Sequence, residues 1–345
     1  MTEHRPAGAG ANDGVAIEAQ GLVKSFPAKR GAGGPRPRHT AVDGVSLTIR
    51  QGEFLGLVGA NGAGKTTLIK ILTGILAPDC GLARVNGFDL ATARREVKAS
   101  STLIKSGGWT GLLYQTSVLN NIRFYGRLAG LPGPLIERRA LEILDVLDLA
   151  AKCGELPWYL SAGQRQKACL AMMAIVITPV VFLDEPTAHL DPAAAANVRR
   201  FLREVMNRER GQTVFMSTHY LDEAELLCDR VAILDRGRVV ACGTPAKLRA
   251  AARSGEVLEI SVERCSPPAV EALGRLPGVL HVNHRVEDPV MGRYLLRVHA
   301  RPGGENPTPA VLASLSSAAV EVRWLRTIRP TLQEVYFELV GRDLN

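Results

Sequence analysis

An α/β fold, built on a mainly parallel sheet and followed by a smaller α+β unit, is predicted for this 345-residue chain by three observations. Short apolar segments alternate with helical patterns as far as Leu248, as they do when strands cross over through helices that cover both faces of a sheet. A glycine-rich loop joins one of these segments directly to a helix. Beyond Leu248 the texture changes to short strands and short helices in close succession. The length exceeds one comfortable core and falls short of three, so one larger domain and one appendage are expected, at residues 15–250 and 251–345.

The elements follow in order. Residues 1–14 are polar and rich in Gly and Ala, and Ala28 to Arg38 is a Gly/Pro/Arg loop; both read as mobile, the first as a disordered tail. Val15 to Gln20, Val45 to Arg50 and Glu53 to Val58 read as strands, the last two parted by a Gln51-Gly52 turn, with antiparallel pairing expected at the N-terminus. Leu68, Ile69, Ile71, Leu72 and Ile75 have helical spacing after the glycine-rich loop. Ser117 to Ala151 carries two helical patterns separated by Gly130-Leu131-Pro132-Gly133-Pro134, which implies an all-helical insert over about residues 109–178. Ala168 to Ile177 is a buried-type helix, Val180 to Leu183 a buried strand and Ala193 to Met206 a helix. Thr213 to Met216 and Val231 to Leu234 are further short strands. The last third reads as strand 257–262, helix 268–276, strands 279–286 and 294–298, helix 309–316, strand 320–324 and a closing helix 331–340, a ferredoxin-like order.

Composition narrows the class. The apolar fraction of 46% and charged fraction of 22% are those of an ordinary globular protein. The most apolar run, Ala168 to Leu183, is shorter than the roughly 20 residues a spanning helix needs and contains Pro179, so no direct membrane span is expected. Met1 to Asn12 has no apolar stretch of the secretory kind, which points to the cytoplasm. Six cysteines are scattered without metal-ligand spacing and read as reduced structural thiols. The net charge of +8 is spread along the chain, with 11 Lys/Arg against 11 Asp/Glu in residues 253–345, so no nucleic-acid stripe is expected.

Gly59, Ala60, Asn61, Gly62, Ala63, Gly64, Lys65 and Thr66 fit G-x-x-x-x-G-K-T, followed by Thr67, after a strand and at the start of a helix. Such a loop curls backbone N–H groups around phosphates at the positive end of a helix; Lys65 neutralises β/γ oxygens and the Thr66 hydroxyl is suited to Mg²⁺. Val180 to Glu185 is an apolar strand that delivers two carboxylates at its end. Beside a phosphate loop, Asp184 is suited to hold Mg²⁺ and Glu185 to act as general base on the attacking water. A nucleotide and Mg²⁺ are therefore the expected ligands; the family resemblance of the motifs that follow implies that the nucleotide is ATP and the reaction its hydrolysis.

The order of further motifs resembles a known family. Leu160-Ser161-Ala162-Gly163-Gln164 resembles its signature sequence, Ala188-His189-Leu190-Asp191 sits at its D-loop, and Ser217-Thr218-His219 ends a strand as its switch histidine does. Over about residues 15–250 the chain resembles an ATP-binding-cassette (ABC) transporter ATPase, a P-loop NTPase. The resemblance implies His219 as a γ-phosphate contact, Phe26 as the adenine platform, and Ser161, Gly163 and Gln164 acting on the loop of a second cassette in a homodimer. Thr331 to Arg342 resembles the ending of daunorubicin-resistance-type exporter ATPases, which implies a separate ABC-2-type permease that exports a drug, antibiotic, lipid or polysaccharide. The chain would then sit on the inner face of the membrane through that permease. The alternatives are a soluble ATPase switch acting on ribosomes or nucleic acid, and a catalytically weakened regulatory cassette.

Three positions depart from the family pattern. Ala162 replaces a signature glycine, and His189 replaces a D-loop glycine. The Q-loop glutamine should fall near Gly108, yet Lys105 to Gly111 contains none, and Gln115 lies further along toward a helix. Trp109, Leu112, Leu113 and Tyr114 form either an apolar patch for a partner helix or part of the insert's own core.

Overall fold

The computed structural model describes residues 14–27, 38–105, 111–188, 190–251, 256–289, 291–301, 306–328 and 331–341. Most of the expected tail, the Gly/Pro/Arg loop, the segment around Gly108 and Trp109, His189 and Arg342 lie outside the described residues. The described residues up to Thr244 form one compact unit and those from Pro245 a second, so the division falls ahead of residue 250.

The first unit opens with β1 (Val15–Pro27), β2 (Arg38–Arg50) and β3 (Phe54–Val58), followed by α1 (Lys65–Leu72). Next come β4 (Cys80–Val85), β5 (Phe88–Asp89), α2 (Arg94–Ser100) and β6 (Ser101–Lys105). The helical insert comprises α3 (Val118–Leu128), α4 (Gly133–Val146) and α5 (Ala162–Ala174), which pack on one another. Then follow β7 (Val180–Asp184), α6 (Pro192–Arg200) with a π-helical continuation Phe201–Glu209, β8 (Thr213–Thr218), α7 (Leu221–Leu227), β9 (Arg230–Asp235) and β10 (Arg238–Gly243).

Two sheets result. An antiparallel sheet has the order β2-β1-β4-β5, and a larger one the order β10-β9-β3-β8-β7-β6, parallel except at β10. Both β1 and β2 run further than their hydrophobic patterns predict, because the β1–β2 pairing is interrupted by register shifts and its ends are polar and partly exposed. One core joins the layers: Ile17, Val42 and Val85 of the antiparallel sheet, Leu68 and Leu72 of α1, and Phe182, Phe215 and Leu234 of the parallel sheet. Leu68, Ile69, Ile71 and Leu72 are all at most 1% exposed, and each such aliphatic chain contributes roughly 1.5–3 kcal/mol of burial. That anchorage fixes the helix whose first residue is Lys65.

The second unit contains α8 (Pro245–Ala250), β11 (Val257–Glu263), α9 (Pro267–Gly274), β12 (Val279–Asp288), β13 (Arg293–Ala300), α10 (Thr308–Ser317), β14 (Glu321–Ile328) and α11 (Leu332–Val340). Its sheet order, β12-β13-β11-β14 with antiparallel pairing throughout, is the ferredoxin-like arrangement that the sequence suggests. Leu258, Ile260, Val262, Leu273, Leu296 and Val311 form its core. Glu259, 2% exposed, receives Arg297 and Arg326, and Arg297 also donates to Glu334 of α11 at 3.1 Å. Burial alone would raise the Glu259 pKa, but the two guanidinium groups outweigh it and hold the carboxyl below its usual range.

Candidate active site

The carboxyl ends of adjacent parallel strands deliver the site. The phosphate loop leaves β3, Asp184 and Glu185 end β7, Ser217 and Thr218 end β8 and His219 follows it. Backbone geometry makes the loop a glycine problem. Gly64 caps α1 at φ +107°, and a Cβ there would lie 2.0 Å from the Ala41 carbonyl oxygen; at Gly59 it would lie 2.4 Å from that of Leu234. The loop is further pinned by the β9–β10 turn, where the Gly237 N–H donates to the Ala63 carbonyl at 2.9 Å.

Lys65, 5% exposed, folds back on its own loop and donates to the carbonyls of Gly59 at 2.6 Å and Ala60 at 3.2 Å. Its ammonium is 3.7 Å from Glu185 Oε1. Burial lowers the Lys65 pKa, with the charges of Glu185 and Asp184 offsetting part of the effect. The Thr66 hydroxyl donates to Asp184 at 3.2 Å, and Ser217 Oγ donates to the same carboxylate at 2.7 Å.

Glu185 adopts the left-handed region at φ +54°, with its N–H bonded to the Ser217 carbonyl at 3.0 Å. A non-glycine residue in that region is uncommon, and here it turns the carboxylate away from the strand line that carries Asp184. The His219 Nδ1 lies 3.2 Å from Glu185 Oε1 but makes no aligned hydrogen bond, and its ring packs on Tyr220 with centroids 4.0 Å apart. A buried ring nitrogen without an aligned partner leaves a polar group ready for a ligand atom.

The donor set fits MgATP. A hydroxyl and a carboxylate, Thr66 and Asp184, are the hard oxygens that Mg²⁺ takes, and Lys65 with the loop and the start of α1 supplies the positive side.

Thus Lys65, Thr66, Asp184, Glu185 and His219 come together. Ser161, Gly163 and Gln164, at the start of α5, are not in those contacts. There Ser161 and Gln164 form a reciprocal capping box, and a Cβ at Gly163 would lie 3.4 Å from the Leu190 side chain. Phe26 is half-buried at the end of β1, paired with His39 and lying under Lys24 at 5.9 Å. Of the apolar patch, Leu112 is buried and belongs to the core, whereas Leu113 is exposed and Tyr114 packs on the exposed Trp158 with centroids 4.6 Å apart. Gln115 is exposed in a turn ahead of α3.

Four polar residues have no role assigned to them from the sequence. Ser217 bonds Asp184, and Lys105 at the end of β6 reaches it at 3.8 Å. Glu223, 4% exposed on α7, accepts from Thr187 and from Thr218 at 3.1 Å and faces Arg199 at 3.7 Å. Gln166 of α5 donates to the Pro186 carbonyl. One signal was available for two of them: Lys105 and Ser217 are polar residues at the carboxyl ends of apolar strands, where open α/β sheets bind ligands.

Comparison with known proteins agrees with this geometry. Residues 42–188 match the model of the family described as ABC transporter. The daunorubicin/doxorubicin resistance ATP-binding protein of Streptomyces peucetius is 34% identical over 94% of this chain and 92% of its own length. The Nod factor export ATP-binding protein I of Ralstonia nicotianae is 28% identical over 100% of this chain and 99% of its own. Among solved structures, the cbiO1 protein of Clostridium perfringens, described as part of an ABC transporter complex, superposes with a TM-score of 0.60 at 26% identity, over 69% of this chain and 92% of that one. On this evidence the chain belongs to the ABC transporter family, as an ATPase subunit of the daunorubicin-resistance exporter type.

Proposed function

We propose that this ATPase powers a separately encoded ABC-2-type permease as a head-to-tail dimer of cassettes, exporting a drug, antibiotic, lipid or polysaccharide from the cytoplasmic side. The observation that carries the reading is the convergence of Lys65, Thr66, Asp184, Glu185 and His219 at one end of the parallel sheet. Lys65 exchanges the carbonyls of Gly59 and Ala60 for phosphate oxygens. Asn61, Gly62, Ala63, Gly64 and Thr67 line the same loop, and Phe26 stacks on the adenine. Thr66 and Asp184 would hold Mg²⁺, which when bound would neutralise phosphate charge. Glu185 takes the proton of the attacking water, and His219 beside it orients the γ-phosphate. Ser161, Gly163 and Gln164 cover the loop of the second copy.

Support for a membrane partner comes from a relative named for Nod factor export and from the exposed Leu113 and Trp158, with the half-buried Tyr114 packed on Trp158, in the helical insert. No helix among the described residues is long and apolar enough to cross a membrane. The test is Glu185→Gln. It should accumulate an ATP-bound dimer by size-exclusion chromatography, with turnover reduced at least about 100-fold as expected for loss of a general base. Hydrolysis at the parent rate would sink the assignment of Glu185.

A further inference from the structure

The acidic pair of the site sits between two lysines. Across the carboxyl ends of the parallel strands the order is Lys65 after β3, Ser217 on β8, Asp184 and Glu185 from β7, and Lys105 on β6. Lys65 stands 3.7 Å from Glu185, and Lys105 stands 3.8 Å from Asp184 Oδ2 on the far side. The placement of Lys105 is dictated by the backbone, because parallel pairing sets Lys105 directly opposite Asp184. Residues so paired project to the same face of the sheet. The sequence contains no glutamine between Lys105 and Gly111. Lys105 is the described side chain that β6 brings to this carboxylate.

An ammonium at this distance is a counter-ion for the carboxylate assigned above to the metal. A divalent ion arriving at Thr66 and Asp184 therefore meets a carboxylate whose charge is already partly compensated, and it must work against a like charge nearby. A triphosphate arriving without metal gains the reverse benefit, since a second cation besides Lys65 faces its oxygens. Lys105 is half exposed, so solvent screens both effects to a moderate size.

We propose that Lys105 is a positioning residue, a built-in counter-ion of Asp184 that narrows the preference of the site for metal-loaded over metal-free ATP. The inference rests on the assignment of Thr66 and Asp184 to Mg²⁺. It differs from the general phosphate-loop chemistry in that the cation is supplied by the neighbouring edge strand of the sheet.

The experiment measures binding, not turnover. A fluorescent, non-hydrolysable ATP analogue is titrated into the full chain in excess Mg²⁺ and in EDTA, and the ratio of the two dissociation constants is taken for each variant. Lys105→Met and Lys105→Gln should each raise the ratio of the EDTA value to the Mg²⁺ value by about three- to tenfold, through weaker binding in EDTA and equal or tighter binding in Mg²⁺. Lys105→Arg should keep the ratio within about twofold of the parent, since the charge is retained. A generic packing defect would weaken both arms together and leave the ratio unchanged. An unchanged ratio in either neutral variant that retains the parent melting temperature overturns the proposal. Lys65→Ala separates the two levels of inference: it should lose binding in both buffers. If Lys65→Ala binds as the parent does, the phosphate-site reading fails, independently of Lys105.

Discussion

The second unit contains a buried base whose titration should govern its stability in acid. His299 on β13 is 0% exposed and lies opposite His281 on β12, with the rings stacked at 3.8 Å and 16°. Phe337 of α11 lies against His281, with ring centroids 5.9 Å apart. Neither ring nitrogen of His299 has a hydrogen-bond partner among the described residues. Burial above all, then the positive potential of His281 and Arg297, drives its pKa from 6.5 down to about 3. Glu334 and Glu338 face His281, whose own pKa is also lowered, chiefly by burial. The folded state thus prefers the neutral imidazole. Its stability is full above the unfolded-state pKa near 6.5 and declines as pH falls toward 3. At about 1.4 kcal/mol per unit, the His299 contribution lost between pH 7 and pH 5 is about 2 kcal/mol, and by pH 3 about 4 kcal/mol. His299→Phe removes the titrating group and sacrifices no described hydrogen bond. The assay is urea denaturation across pH 5–8, with Trp324 of β14 as the only fluorescent indole after Trp109→Phe and Trp158→Phe. Between pH 7 and pH 5 the parent should lose about 2 kcal/mol more than the His299→Phe protein. Parallel pH profiles in the two proteins would refute the reasoning.

Two further outcomes follow from the first unit. Glu223→Ala strands the hydroxyls of Thr187 and Thr218 and leaves Arg199 without this partner, so it should cost about 2–4 kcal/mol in urea titrations; a loss below about 1 kcal/mol would show that the carboxylate organises nothing. Gln115→Ala should reduce ATPase activity less than His219→Ala, because Gln115 lies exposed in a turn whereas His219 Nδ1 stands 3.2 Å from Glu185. The reverse ranking in steady-state rates would restore Gln115 to the nucleotide site.

Contiguous chemistry was legible in the sequence. The strand–loop–helix over Phe54–Leu72 announces itself because its glycines, lysine and apolar flanks are consecutive, and the βαββαβ order of the second unit follows from its alternating short segments. Strands that lack a full apolar face were not legible. In β4 only Ala83 and Val85 are buried, and β10 alternates exposed with half-buried residues at the sheet edge. In neither does the amino-acid sequence, CGLARV or RVVACG, alternate apolar with polar residues or run continuously apolar. The π-helical stretch Phe201–Glu209 was likewise read as ordinary helix, since its buried Phe201, Leu202 and Met206 remain compatible with helical spacing.

The same limitation explains what was missed in the site. Asp184 and Glu185 are adjacent in sequence, so their pairing with a phosphate loop could be argued from motif order alone. Lys105 and Ser217 reach Asp184 only because β6 and β8 flank β7, and strand order is a property of crossovers that no local window encodes. Once β6 is known to be the edge strand, its last residue must face the last residue of β7, and a lysine there changes the charge beside Asp184. A motif reading registers the missing glutamine as a loss. The sheet register shows a positive charge beside Asp184, supplied by a residue that the motif does not include.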